Sequence, residues 1–324
     1  MLGLIFNLYR LFAMRNQQYR SDPKLLAFAN EMRTNYRSMI PMAGKPEPVS
    51  AISDIDIPAD APLRMLRARV YTPFSMAQAQ DGQRRGIVLY THGGGFVSGD
   101  LDTHDVMLRA LANRSDCTVV SLDYRLAPEA PFPAGLEDTY AALQWLAVHG
   151  GEIGGDPQSI IVAGDSAGGN LAAAVCLMAR DQGGPRVKAQ VLLYANTGNY
   201  GETESWKKLS DRRFPTRDVM ELVLQCYVPE SPTQHHAPMT APLRAELEAL
   251  PPALIITAEF DPIKDEGALY AQKLRAAGVV VEEDTYYDVE HGFIQYFQAQ
   301  HNQPMGEQAL NQVANFIKKI FDNF

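Results

Sequence analysis

Apolar positions follow two alternating patterns from about residue 87 onward. Short apolar or β-branched runs typical of buried strands lie at Ile87–Tyr90, Thr118–Leu122, Ile160–Ala163, Val191–Tyr194, Ala253–Thr257 and Val279–Tyr286. Helical patterns lie between or after them, at Val106–Asn113, Leu136–His149, Ala167–Arg180, Glu266–Ala277 and Gly306–Phe324. Strands that alternate with helices predict an α/β fold, in which helices cover both faces of a mostly parallel sheet.

The chain before residue 87 follows other patterns. Residues 1–45 have helical spacing and end in a stretch that prolines and a glycine interrupt. Isoleucines at positions 52, 55 and 57 suggest a first strand, and Leu66, Ala68 and Val70 alternate with arginines. Alternation with a period of two is typical of a half-exposed strand at the edge of a sheet. The glutamine-rich tract at residues 76–85 predicts the loop of a hairpin.

One connection is much longer than the others. Nearly sixty residues separate Tyr194 from Ala253, far more than a typical crossover contains. They include a helical pattern at Thr216–Tyr227 and a segment broken by prolines at Pro229–Pro242. An insertion above the carboxyl ends of the strands is a candidate lid over a site there, and an ordinary surface elaboration is the alternative.

Composition and charge narrow the class of protein. The chain has 324 residues, 46% hydrophobic and 21% charged, enough for one large α/β domain with a small accessory region. A net charge of −9 without a cluster of Lys and Arg disfavours electrostatic binding to nucleic acid or to an anionic membrane. The cysteines, Cys117, Cys176 and Cys226, form no CxxC pair. We expect them to be reduced and mostly buried, as in a cytoplasmic protein, the alternative being one disulfide and a free thiol.

The first twenty residues are apolar but do not fit an export signal. They have no early Lys or Arg, Asn7 and Arg10 interrupt them, and no cleavage site follows. The run is also shorter than the ~20 apolar residues that span a bilayer. We therefore expect no integral membrane segment, and we interpret residues 1–20 as an amphipathic helix packed over the domain. Weak peripheral contact of this helix with a membrane is the alternative.

A possible nucleophile follows the predicted strand Ile160–Ala163. The pentapeptide Gly164–Gly168 reads Gly-Asp-Ser-Ala-Gly and connects that strand to the next predicted helix. In this context a Gly-x-Ser-x-Gly motif predicts a sharp turn with Ser166 exposed at its tip. The alternative is a tight turn whose glycines serve only to pack the helix against the strand.

A serine nucleophile needs an imidazole base and a group that orients the imidazole. Asp261 follows the strand Ala253–Thr257 and His291 follows the last strand, so both should reach the same edge of the sheet. The order Ser166, Asp261, His291 is the one found on the α/β-hydrolase fold. Two carboxylates remain alternatives to Asp261 and five histidines are weaker candidates for the base: Glu259, Asp265, His104, His149, His235, His236 and His301.

Three successive glycines, Gly93, Gly94 and Gly95, follow the strand Ile87–Tyr90. Their uncovered N–H groups, together with the N–H of Ala167, would form an oxyanion hole for the tetrahedral intermediate. A flexible loop or a phosphate cradle is the alternative. The sequence here lacks the Lys-Ser/Thr pair of a P-loop, which disfavours the phosphate cradle.

Several motifs together carry a family resemblance. They are His92–Phe96 (HGGGF), Gly99–Asp105 (GDLDTHD), Asp123–Glu129 (DYRLAPE), Gly164–Gly169 (GDSAGG), Asp261–Pro262 (DP) and His291–Phe293 (HGF). In this order they resemble the bacterial hormone-sensitive-lipase family (family IV) of esterases, within the α/β-hydrolase superfamily, over about residues 50–320. GDLDTHD is especially similar to the acetyl esterase branch.

The resemblance implies roles for particular residues. Ser166 would be the nucleophile, His291 the base and Asp261 the orienting acid, while Gly93, Gly94, Gly95 and Ala167 would surround the oxyanion. His92 would support the glycine loop without transferring a proton. The implied fold is a mostly parallel eight-stranded sheet flanked by helices, with core segments 46–195 and 249–324. Segments 1–45 and 196–248 would form a helical cap.

The resulting hypothesis is a cytoplasmic carboxylic-ester hydrolase that acts on short-chain, acetyl-like esters through an acyl-enzyme. The resemblance implies a small-molecule ester substrate and neither a cofactor nor a metal. A longer-chain lipase or an amidase with the same triad is one alternative. A non-catalytic ligand receptor is another, but the plant gibberellin receptors, which resemble this family, lack the histidine that His291 supplies here.

Overall fold

The computed structural model describes residues 20–60, 63–75, 85–198, 201, 203–229 and 237–322. The expectations for the first nineteen residues, for most of the glutamine-rich loop and for His235 and His236 lie outside the described residues.

The described residues form one sheet of eight strands in the order β1-β2-β4-β3-β5-β6-β7-β8. The strands are β1 (Ala51–Asp60), β2 (Leu63–Thr72), β3 (Arg85–Thr91), β4 (Thr118–Leu122), β5 (Gly155–Asp165), β6 (Ala189–Leu193), β7 (Ala253–Phe260) and β8 (Val281–Glu290). Neighbouring strands from β4 to β8 run parallel, which confirms the predicted α/β-hydrolase sheet. Their carboxyl ends therefore meet at one edge.

The arginine-alternating strand β2 is not at the edge of the sheet, so that prediction was wrong. It lies between β1 and β4 and runs antiparallel to both. The alternation has a different cause, because Arg67 and Arg69 on β2 both form ion pairs with Asp54 on β1. The outer strand thus supplies a carboxylate, Asp54, to both arginines of its neighbour.

The helices of the described residues are α1 (Pro23–Ser38), α2 (Asp105–Ser115), α3 (Ala134–His149), α4 (Ala167–Gln182), α5 (Glu204–Leu209), α6 (Arg217–Tyr227), α7 (Lys264–Ala276) and α8 (Met305–Asp322). Two buried cores lie on opposite faces of the sheet. One includes α2 and α8, and the other includes α3, α4 and α7. Strand β3 serves both, since Ile87 and Leu89 belong to one core, and Val88 and Tyr90 to the other.

The long connection between β6 and β7 contains α5 and α6. Both helices begin with a threonine cap: Thr203 Oγ1 accepts the N–H of Trp206, and Thr216 Oγ1 accepts that of Val219. The sequence patterns predicted α6 but not the six-residue α5. Helix α6 contacts α1, so the N-terminal segment and the insertion meet each other.

Two further findings concern the whole described chain. All three cysteines are free and buried, as expected. Among the described residues, no helix has both the length and the apolar content that crossing a membrane requires.

Candidate active site

Ser166 lies at the sharp turn between β5 and α4. Its backbone has φ +53° and ψ −119°, a conformation that non-glycine residues rarely adopt. A glycine at 168 is required, because a Cβ there would overlap the carbonyl oxygen of Thr91 on β3. Helix α4 therefore begins close against β3, and the turn between β5 and α4 is sharp. Ser166 lies at the tip of this turn.

His291 and Asp261 come together with Ser166. His291 Nε2 lies 2.8 Å from Ser166 Oγ, and His291 Nδ1 lies 2.7 Å from Asp261 Oδ2. The side chain of Asp261 is fully buried and that of His291 is 4% exposed. The other Asp261 oxygen, Oδ1, accepts the N–H of Ile263 at 2.9 Å. Because an ionised carboxylate can only accept, Nδ1 carries the proton and Nε2 is free to accept from the serine hydroxyl.

The alternative acids and bases are engaged elsewhere. Glu259 accepts the N–H of Asp288 at 2.9 Å, and Asp265 accepts that of Ser205 at 2.7 Å. His149 pairs with Glu152 at the end of α3. His301 lies in a short 3₁₀ turn, and His104 is buried beside Asp165. Strand β8 extends to Glu290 and not to Tyr286 as predicted, so His291 follows it directly.

The glycine loop after β3 offers two uncommitted N–H groups and not three. The N–H of Gly93 donates to Asp165 Oδ1 at 2.9 Å, which removes Gly93 from the expected set of oxyanion donors. Within the described part of the chain, no group accepts a hydrogen bond from the N–H of Gly94 or of Gly95. The N–H of Ala167 lies in the first turn of α4, where no preceding helical carbonyl exists to accept it.

The backbone of this loop depends on Gly94. Its φ is +120°, and a Cβ there would overlap the carbonyl oxygen of Ser98. The carbonyl oxygen of Gly94 accepts the N–H groups of Val97 and Ser98, at 3.2 and 3.0 Å. This tight turn keeps its carbonyl occupied and leaves the N–H side of the loop open.

His92 stabilises the glycine loop through one ring contact and one hydrogen bond. Its ring stacks on Tyr124 with centroids 4.4 Å apart, and its Nδ1 donates to the carbonyl oxygen of Gly93 at 2.8 Å. Burial, together with the neighbouring His104, lowers the pKa of His92 to about 4, so this imidazole is neutral near pH 7. Tyr124, from the DYRLAPE motif, in turn donates its hydroxyl to the carbonyl oxygen of His92 at 2.8 Å.

Sequence reasoning missed the surroundings of Asp165. This buried carboxylate accepts the Tyr90 hydroxyl at 2.8 Å and the Gly93 N–H, and His104 Nε2 lies 3.1 Å from it. Burial alone would raise the pKa of Asp165, but His104 and these hydrogen bonds hold it below its ordinary value. The sequence did indicate that Asp165 has a buried partner, because an acidic residue between a buried strand and a packed helix needs one. The identity of that partner, 61 positions earlier, could not be read from the chain.

A cavity of about 300 Å³ opens onto Ser166. Helix α1 and the segment containing α6 form much of its wall, with Met32, Tyr36, Met39, Phe214, Val219, Met220 and Val223. The same two elements contact the glycine loop. Arg33 Nε donates to the carbonyl oxygen of Val97 at 2.9 Å, and the Tyr227 ring stacks on Phe96 with centroids 3.7 Å apart.

Comparisons with known proteins agree with this architecture. Residues 88–295 match a protein family described as alpha/beta hydrolase fold. The chain is 47% identical over 213 residues to carboxylesterase NlhH of Mycobacterium tuberculosis, which covers 65% of this chain and 67% of that protein. It is 35% identical over 237 residues to an acetyl esterase of Salmonella schwarzengrund, which covers 70% and 69%.

Solved structures give the same result over a longer part of the chain. The Pyrobaculum calidifontis esterase superposes with a TM-score of 0.82 at 40% identity, covering 96% of this chain and 98% of that one. These similarities confirm the resemblance that the motifs indicated.

Proposed function

This chain belongs to the alpha/beta hydrolase fold family, and we propose that it is a carboxylesterase that hydrolyses short-chain acyl esters through an acyl-enzyme on Ser166. The observation that carries the proposal is the continuous chain of contacts from Ser166 Oγ through His291 to Asp261, at 2.8 and 2.7 Å. Relatives named as carboxylesterases and esterases support the same reaction.

In the first half-reaction, Ser166 Oγ attacks the ester carbonyl carbon while His291 Nε2 takes the hydroxyl proton. Asp261 holds the imidazole in the tautomer that accepts this proton, and then stabilises the imidazolium. Collapse of the tetrahedral intermediate breaks the bond to the alcohol oxygen, and His291 gives the same proton to the departing alcohol.

Water completes the cycle. His291 takes a proton from water as the water oxygen attacks the acyl carbon. The second intermediate collapses, the carboxylic acid leaves, and the proton returns to Ser166 Oγ. In both intermediates the carbonyl oxygen carries negative charge, which the N–H groups of Gly94, Gly95 and Ala167 would stabilise.

The cavity supports a preference for short acyl groups. Its volume of about 300 Å³ lies at the lower end of the range for ligand pockets. Helices α1 and α6 close over it, and we propose that segments 1–45 and 196–248 together form the cap of the enzyme. Similarity to an acetyl esterase points to the same substrate class. The free thiols support a reducing compartment, and we propose the cytoplasm.

Replacement of the nucleophile tests the reaction. We expect Ser166→Ala to reduce hydrolysis of p-nitrophenyl acetate by roughly a millionfold in kcat, because the variant lacks the hydroxyl that forms the acyl-enzyme. Ser159→Ala, near the middle of the same strand, is the matched control and should retain the wild-type rate. Hydrolysis by Ser166→Ala at the wild-type rate would refute the mechanism.

A series of acyl lengths tests the substrate class. We expect kcat/KM for p-nitrophenyl esters to be highest with two to four acyl carbons, roughly, and to fall with longer chains as the cavity fills. A maximum at ten or more carbons, approximately, would instead identify a long-chain lipase and overturn the short-chain proposal.

A further inference from the structure

The turn between α5 and α6 is anchored on the two strand ends that carry the proposed acid and base. Arg213 in this turn forms an ion pair with Glu290, and its guanidinium carbon lies 5.0 Å from the centroid of the Phe260 ring. Phe260 is the residue before Asp261. Glu290 is the residue before His291, and it is opposite Phe260 in the parallel register of β7 and β8. One side chain of the turn thus contacts both strand ends.

A second set of contacts holds the same insertion through α5. Ser205 Oγ donates to the carbonyl oxygen of Pro262 at 2.8 Å. Trp206 and Met220 pack with Ile263 in a small buried cluster. Because both sets of contacts join the insertion to the loop around the acid, the core of the protein fixes the position of the turn.

This anchoring places Phe214, the residue after Arg213, beside the proposed base. The ring centroids of Phe214 and His291 are 5.9 Å apart, and both side chains line the cavity that contains Ser166. Tyr194 also lies beside the imidazole, at 4.9 Å, but Tyr194 is buried and Phe214 is 49% exposed. Phe214 therefore forms the outer wall of the cavity next to His291.

The proposed mechanism decides which part of the ester meets this wall. His291 Nε2 gives a proton to the departing alcohol, so the alcohol oxygen must lie within hydrogen-bonding distance of the imidazole. The carbonyl oxygen points instead toward the glycine loop, where Val223 of α6 packs against Gly95. The alcohol group is therefore the part of the substrate that extends past Phe214.

An aromatic wall distinguishes flat alcohol groups from saturated ones. Aromatic rings pair in offset or edge-to-face arrangements that a saturated ring of similar size does not reproduce. Two lining residues that follow in the chain, Pro215 and Val219, are also apolar. A charged alcohol group would lose its hydration here without gaining a partner from these side chains.

We propose that Phe214 determines specificity for the alcohol part of the ester and favours aromatic alcohols, and that Arg213 is the positioning residue that holds Phe214 beside His291. This inference rests on the proposed function and extends it from the acyl group to the leaving group.

Hydrolysis of three acetates by the wild-type protein tests the preference. Benzyl and cyclohexylmethyl groups are similar in size, so comparing their acetates isolates the effect of the aromatic ring, and ethyl acetate reports hydrolysis without any ring. We expect kcat/KM to be about threefold to tenfold higher for benzyl than for cyclohexylmethyl acetate. Equal values would overturn this inference alone. Absence of hydrolysis of all three acetates would refute the proposed function, and this inference with it.

Variants of Phe214 test whether this side chain causes the preference. Phe214→Leu keeps an apolar wall without the ring, and we expect the ratio of the two kcat/KM values to fall to within about twofold of unity. Phe214→Tyr keeps the ring and should keep the ratio. The intrinsic reactivities of the two esters are the same for every variant, so a change in the ratio reports the wall of the cavity.

The matched control is Phe74→Leu, which replaces another half-exposed phenylalanine that does not line the cavity. It should keep both the rates and the ratio of the wild type. An unchanged ratio in Phe214→Leu would show that another side chain selects the alcohol, and would refute the assignment of Phe214.

Arg213→Met tests the positioning role, because it removes both contacts to the strand ends. We expect the ratio to fall at least about twofold, since Phe214 loses its fixed place beside the imidazole. Arg212→Met is the control, because Arg212 is exposed and donates to the carbonyl oxygen of Lys208 within the same segment. Equal ratios for the two arginine variants would show that Arg213 does not position Phe214.

Discussion

The backbone conformation of Ser166 is energetically unfavourable, and hydrogen bonds to its neighbours enforce it. A positive φ at a non-glycine residue costs on the order of 1–3 kcal/mol. The serine N–H donates to the carbonyl oxygen of Leu193 at 2.9 Å, and its own carbonyl oxygen accepts the N–H groups of Asn170 and Asn196. Bonds to helix α4 and to the chain at and just after the end of β6 fix the turn, so the hydroxyl is already placed against His291. This pre-organisation is what a nucleophile requires.

His92 should make folding stability depend on pH. Its folded pKa of about 4 lies below the ordinary histidine value of about 6.5, so in this interval the unfolded chain binds a proton that the folded protein does not. Stability from this residue is therefore complete above about pH 6.5 and declines as pH falls toward 4, by roughly 3 kcal/mol in all.

The variant His92→Asn isolates this contribution, because its amide can still donate to the carbonyl oxygen of Gly93 while it does not titrate. Urea unfolding at several values between about pH 7 and 4 should give a flatter stability profile for the variant than for the wild type. Parallel profiles for the two proteins would show that His92 is not held neutral in the fold.

At the scale of elements, helix α1 holds the glycine loop as well as forming a wall of the cavity. Arg33 donates to the carbonyl oxygens of Val97 and Ala127 and pairs with Glu129, so one side chain joins α1 to the loop and to the DYRLAPE segment. On the other side, Val223 of α6 packs directly against Gly95. Movement of either helix would therefore disturb the oxyanion donors.

Replacing Arg33 should reduce catalysis more than binding. We expect Arg33→Met to lower kcat about tenfold for p-nitrophenyl acetate, because Val97 and the adjacent loop lose their fixed position. Arg37→Met is the control, since Arg37 lies one turn later on α1 and pairs with Asp100 and Asp102 without contacting the glycine loop. Equal kcat values for the two variants would show that α1 serves only as a wall.

At the scale of the whole molecule, sequence patterns predicted the bounds of an element best where both of its faces are buried. Strand β4 has the predicted bounds, Thr118–Leu122, because it is buried throughout and its apolar run is continuous. Strand β8 lies at the edge of the sheet and is mostly acidic and polar, so its pattern gave the wrong ends. Placing β2 required knowledge of its partners, which alternation alone does not contain.

The functional site likewise has residues that the sequence predicted and contacts that it did not. The three residues now in contact were each predicted from a local context, a turn or a loop after a strand, because parallel strands bring such loops to one edge. The partner of Asp165 and the loss of Gly93 as a free donor depend on contacts between distant segments. No periodicity encodes such contacts, so only the folded chain reveals them.

The most direct test of the central claim is to isolate the covalent intermediate. Rapid acid quenching of the enzyme during turnover of p-nitrophenyl acetate, followed by mass spectrometry of peptides, should show one acetyl group attached to Ser166. The same treatment of His291→Ala should yield almost none, because the hydroxyl is no longer activated. Turnover of the wild type with no acyl group on Ser166, or with the acyl group on another residue, would contradict the account.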